Sequence, residues 1–189
     1  MDDMLLTVFL CFLLLPGCTK SEPKQYTHGY PGAAQAQNND QAQTPYYVGL
    51  IEEYRAVLAE DPNNLVALIA LGNTYYDSGE WQKAIAIYEH VLSIDPRNAD
   101  VRNDMGSAYR NLGQYDRALA EYHIALRFDP GHLNARYNMG IVYAYDKKDL
   151  LSAIHVWEEI LRLSPNFPRA EYLRSSIAAF KQGMKREGR

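Results

Sequence analysis

Two cysteines, five histidines and several Glu pairs are the side chains best suited to chemistry in this chain of 189 residues. Both thiols, Cys11 and Cys18, fall within the first 18 residues, so the bulk of the chain has no disulfide and no cysteine metal site. His28, His90, His123, His132 and His155 fall in no metal-ligand spacing, and there is no HExxH. His90, His123 and His155 read as surface or packing residues of helices. Glu52-Glu53, Glu121 and Glu158-Glu159 read as ordinary helix charges. No Gly-rich phosphate loop, Gly-x-Ser-x-Gly or Cys-His nucleophile occurs beyond the N-terminal stretch. The sequence therefore predicts no catalysis, metal, cofactor or small-molecule substrate. The formal charge of -4 leaves no basic footprint for nucleic acid. The basic tail (Lys181, Lys185, Arg186, Arg189) suits a helix C-terminus, with anionic lipid as an alternative contact.

The Cys18 thiol has a distinctive context. Met4 to Leu15 is an apolar run of 12 residues, short of the roughly 20 that span a bilayer but the right length for a signal-peptide core. Leu15-Pro16-Gly17-Cys18 follows it and resembles the lipobox of bacterial lipoproteins, in which a peptidase cuts before the Cys and the thiol carries diacylglycerol. The resemblance implies a signal peptide at 1–17 and a lipidated (palmitate-bearing) Cys18. It also implies a place in the bacterial cell envelope. Thr19 rather than Asp follows the Cys, which by the enteric sorting rule favours the outer membrane, facing the periplasm. Two features depart from the pattern: Met1-Asp2-Asp3 lacks the usual Lys or Arg, and Pro16 is uncommon before the Gly. The alternative is a cytosolic adaptor with a mis-called N-terminus. Residues 18–45 are rich in Gln, Asn, Ala, Gly and Pro, a composition expected of a flexible tether. Its r.m.s. span would be about 30 Å.

What must position the remaining residues is a repeat. Gly72, Gly106 and Gly140 recur every 34 residues, as do Tyr75, Tyr109 and Tyr143. Asp95-Pro96, Asp129-Pro130 and, one place late, Ser164-Pro165 punctuate the series. Ala84, Ala118 and Ala153 mark a second helix, and the late Ala153 places one extra residue near Lys147-Lys148. The pattern resembles the helix-turn-helix unit of the tetratricopeptide-repeat (TPR) family. That resemblance implies an all-α, right-handed solenoid of three units, at 65–98, 99–132 and 133–167. An orphan capping helix is expected at 46–64 and a C-terminal capping helix at 168–189, making eight helices in all. The glycines should sit where the two helices of a unit cross. Leu68, Arg102 and Arg136 stand where the family often has Trp.

In such solenoids the first helices line the concave face, which implies a protein partner, held as a peptide or helix. The residues expected there, facing away from the Gly-Tyr packing stripe, are Asn73, Tyr76, Asn103, Ser107, Arg110, Asn134, Tyr137 and Ile141. Val66, Ile69 and Asp100 share the row. Asn offers both donors and acceptors, and Arg and Tyr are favoured anchors. Family members that clamp a chaperone's carboxylate use Lys and Asn here. Only Asn73 matches, so that mode is disfavoured. The resemblance implies a membrane-anchored scaffold that assembles a pilus, secretion or cell-wall complex.

Overall fold

A computed structural model describes residues 40–187, with side chains from 45 to 186. Cys18, the signal segment and most of the tether lie outside the described residues. The eight helices described are α1 (Asp40–Glu60), α2 (Leu65–Asp77), α3 (Trp81–Ile94), α4 (Ala99–Asn111), α5 (Tyr115–Phe128), α6 (Leu133–Ile141), α7 (Leu150–Leu163) and α8 (Ala170–Glu187). Each packs on the next, pairing as α2–α3, α4–α5 and α6–α7. The first helices of successive pairs also touch, α2 against α4 and α4 against α6, which puts them on the inner side of the stack. The all-α repeat architecture is as expected. One boundary differs: α1 begins at Asp40, within the stretch assigned to the tether, and carries Pro45 inside it. The proline removes one rung of the hydrogen-bond ladder near the helix start, where such a loss is tolerated best.

The Asp-Pro punctuation builds the turn between units. Asp61, Asp95 and Asp129 each accept a bond from the backbone N–H two residues on, an Asx turn. The next residue caps the following helix. Asn64 and Asn98 accept from the N–H groups of Ala67 and Val101, and His132 Nδ1 does the same for Ala135. His132 therefore carries its proton on Nε2, which lies 3.0 Å from Asp100 Oδ1.

Within each unit the crossing is set by one glycine. A Cβ added at Gly72 would lie 2.6 Å from the Tyr88 ring, and at Gly106 the same distance from Tyr122. At Gly140 it would lie 2.0 Å from Trp157 Nε1. The three rings and the flanking Ala84, Ala118 and Ala153 are all fully buried. Backbone bonds from Glu80 to Tyr75 and from Gln114 to Tyr109 close the inter-helix turns, with Gly79 and Gly113 at φ +81° and +71°. In the third unit the corresponding bond runs from Asp149 to Tyr143, one residue longer. The extra residue is absorbed by a π-helical segment, Val142–Asp146, closed by Lys148 at φ +59°.

The residues at the family's Trp position also have structural work. Arg102 donates to the Pro96 carbonyl and pairs with Glu121 at 3.0 Å. Arg136 donates to the Pro130 carbonyl and pairs with Glu159 at 3.1 Å. Each ties the entry turn of its unit to the unit's second helix.

Candidate interaction face

The expected inner row is on the inner helices, but the structure corrects how its members are used. Asn103, Ser107, Tyr137 and Ile141 are buried rather than turned away from the packing. Asn73 and Tyr76 are half-buried, and Asn134 is exposed. The reason lies in the second helices. Tyr88 and Tyr122 fill the glycine gaps with their rings, and their hydroxyls emerge on the inner side needing partners. Tyr88 donates to Asn73 Oδ1 at 2.8 Å, and the Tyr122 hydroxyl lies 3.2 Å from Ser107 Oγ. Burial, with Asp104 nearby, pushes the Tyr88 phenol well above its ordinary value. Asn73 and Ser107 thus serve the fold before any partner.

Asn138 links two units. Its Nδ2 donates to Asn103 Oδ1 at 2.9 Å and to Ser107 Oγ at 3.4 Å. Asn103 in turn donates to Asp104 at 3.1 Å. Such ladders fix the register of neighbouring units. Arg110, read from sequence as an anchor for a partner, forms a two-pronged ion pair with Asp146 of the π segment. Both side chains are only 15% exposed. The pair became visible only once the π segment brought Asp146 to Arg110; 36 residues separate them in sequence.

The third unit's end of the row is covered. Tyr137 lies beneath the guanidinium of Arg169, 4.6 Å from its ring centre, and against Phe167. Tyr145 and Tyr172 share a hydroxyl–hydroxyl bond of 2.6 Å beside Trp157. Burial and that bond push the Tyr145 phenol up to about 12.

What stays open lies at the N-terminal end. Val66, Ile69, Asn73 and Tyr76 follow one another on one face of α2 at helical spacing. Val66 is 80% exposed, the largest exposure of any bulky apolar residue described. Asp100 and Asn134, at the starts of α4 and α6, continue this open surface, the Asp100 side chain being 90% exposed. The face thus offers an apolar strip beside exposed acid and amide. No group of His, Cys, Asp or Glu among the described residues could hold a metal ion. No described helix is long and apolar enough to cross a membrane.

Residues 33–103 and 76–139 each match the tetratricopeptide-repeat family model, together spanning more than half of the chain. Among solved structures, a crystal structure of MamA protein is 25% identical with a TM-score of 0.61, covering 76% of this chain and 84% of that one. A second MamA crystal structure is 26% identical with the same score, covering 80% and 95%. The Yersinia enterocolitica type III secretion translocator chaperone SycD is 19% identical, TM-score 0.60, over 66% and 88%, a likeness of fold alone. No curated protein sequence matches the chain.

Proposed function

The chain belongs to the tetratricopeptide-repeat family, and from that premise we propose that it is a protein-interaction scaffold held at a bacterial membrane by a lipid on Cys18. It recruits a partner to an envelope assembly of the pilus, secretion or cell-wall kind, without catalysis. The observation that carries the interaction reading is the apolar strip of α2. Val66 is left 80% exposed on the row that faces the inside of the stack. A scaffold that only needed to fold would gain solubility from a polar residue there. The occupant that suits it is a peptide or helix with an aliphatic anchor for Val66 and Ile69 and a donor or cation for Asp100.

Anchoring rests on the order of the N-terminal elements: the apolar run, Gly17-Cys18 and the polar stretch beyond. The lipoprotein class carries several acyl chains, and two or more give stable attachment where one does not. Thr19 rather than Asp after the Cys favours the outer membrane, facing the periplasm, by the enteric sorting rule. Met1-Asp2-Asp3, which lacks the basic residues of a signal peptide, favours the second reading, a cytosolic adaptor.

One experiment tests both parts. Cells expressing the wild type, Cys18→Ala and Val66→Asp are labelled with a fatty-acid probe, fractionated and subjected to pull-down from solubilised membranes. Cys18→Ala should lose the label and either leave the membrane fraction or persist as uncut precursor. Val66→Asp should keep label, fractionation and melting temperature but lose the co-purifying protein. An unlabelled wild type in the soluble fraction would favour the cytosolic adaptor. Undiminished recovery by Val66→Asp would move the partner off this face.

A further inference from the structure

The charges of the three inner helices are unevenly matched. Their bases are Arg102 and Arg110 of α4 and Arg136 of α6. Each pairs with a carboxylate on another element: Arg102 with Glu121 of α5, Arg110 with Asp146 of the π segment and Arg136 with Glu159 of α7. Their acids are Asp77 of α2 and Asp100 and Asp104 of α4, while α6 has none. Asp100 accepts from the His132 Nε2–H and Asp104 from the Asn103 amide, donors that bring no formal charge. A further cation, Arg169, lies over Tyr137 at the other end of the row. The α2–α4 end of the row therefore carries an excess of negative charge.

Two phenols register that field. The Tyr88 hydroxyl emerges on the inner side beside Asn73. It is pushed up first by burial and then by its charged surroundings, Asp104 and Asp77 among them. Tyr47 of α1 is raised by burial and then by Asp77.

The acids flank the apolar strip. Asp100 stands 34 residues after Val66, at the same position of the next unit, and Asp104 stands in the same relation to Ala70, one turn further on. Helices α2 and α4 touch, so this pair runs alongside Val66 and Ile69. Asp77 is exposed at the far end of α2. At 1.5 Å per residue it lies about 16 Å along the helix from Val66, or roughly three turns.

Resting on the reading that α2 carries the interaction, we propose that the segment held there is a basic amphipathic helix. It lies in the furrow between α2 and α4 with an aliphatic side chain against Val66 and Ile69. A Lys or Arg faces Asp100 and Asp104, and another, about three turns on, faces Asp77. An acidic segment would meet like charge at both ends of the strip, which gives the face a means of rejection as well as of attraction. Association should be salt-dependent, because Asp77 and Asp100 are exposed.

The test measures binding of two labelled synthetic peptides to the full chain in detergent, by fluorescence anisotropy at low and raised salt. One peptide has Leu on one helical face and Lys on the other, and the second has Glu in place of every Lys. Wild type should bind the Lys peptide at least about tenfold tighter than the Glu peptide, and less tightly as salt rises. Asp77→Asn with Asp100→Asn should lose about tenfold, the loss of two exposed charge pairs. Glu53→Gln with Glu89→Gln removes the same charge from exposed sites of α1 and α3 and should leave binding unchanged. Circular dichroism melts check that both double variants fold. Equal binding of the two peptides, no loss in the Asp77 and Asp100 variant, or an equal loss in the control would overturn the proposal. Failure of both peptides to bind would do the same. The interaction reading fails separately, when Val66→Asp still recovers the co-purifying protein. If that recovery is lost while the peptides contradict a cationic partner, the strip holds a partner of different charge.

Discussion

Replacing Gly106 with Leu probes the crossing on which the whole stack depends. A Cβ alone at this position would lie 2.6, 2.9 and 3.1 Å from three carbons of the Tyr122 ring. Carbon atoms in contact prefer about 3.5–4.0 Å. The ring is fully buried, so it can yield only by displacing its neighbours. Overpacking of this kind costs roughly 1–3 kcal/mol. Moving the ring also breaks the contact between its hydroxyl and Ser107, worth about 1 kcal/mol more. The helix gains about 1 kcal/mol from losing a glycine, which offsets part of this. The net expectation is a destabilisation of about 1–3 kcal/mol. For a chain of this size that lowers the melting temperature by roughly 2–12 °C.

Gly49 supplies the control. It lies on exposed α1 with nothing within 4 Å of an added Cβ, so Gly49→Leu feels the propensity gain without the clash. It should stabilise by up to about 1 kcal/mol. Thermal and urea melts followed by circular dichroism read both variants. If the two substitutions shift the midpoint in the same direction and by similar amounts, the glycine crossing is not what holds the helix pair, and the reasoning fails.

Lys148 holds a left-handed conformation at φ +59° where the other units have glycine, so Lys148→Gly should stabilise by about 1 kcal/mol in the same melts, and Lys148→Val should destabilise. Asp149 caps α7 by accepting from the Ser152 side chain and backbone, which holds its carboxyl below the ordinary value. Its folded pKa is depressed, so its contribution is present above the unfolded value near 4 and is lost as pH falls through the folded one. The stability difference between wild type and Asp149→Ala, about 1 kcal/mol at neutral pH, should therefore shrink in acid.

The fold was legible because its determinants repeat. A glycine opposed to a large ring is weak evidence once, but Gly72, Gly106 and Gly140 stand in register with Tyr88, Tyr122 and Trp157. Even the inserted residue of the third unit announced itself, through the one-place lag of Ala153 and Trp157. Its form did not: nothing in Val142–Asp146 distinguishes a π segment from a longer turn, because the choice depends on Arg110 receiving Asp146 and on Lys148 closing the end.

The inner row was less legible, for a physical reason. Helical periodicity reports which residues share a face, and Asn73, Asn103, Ser107 and Tyr137 do share one. It does not report what reaches that face from the neighbouring helix. The hydroxyls of Tyr88 and Tyr122 pass through the glycine gaps and turn Asn73 and Ser107 into internal partners, while Phe167 at the end of the third unit and Arg169 just beyond it close over Tyr137. Once those demands are met, the row's most exposed apolar side chain is Val66 of α2, which is why the proposed contact centres there. A groove variant built on Asn103 and Tyr137 would therefore report on stability first. One built on Val66 separates recognition from folding, because its side chain already stands in solvent.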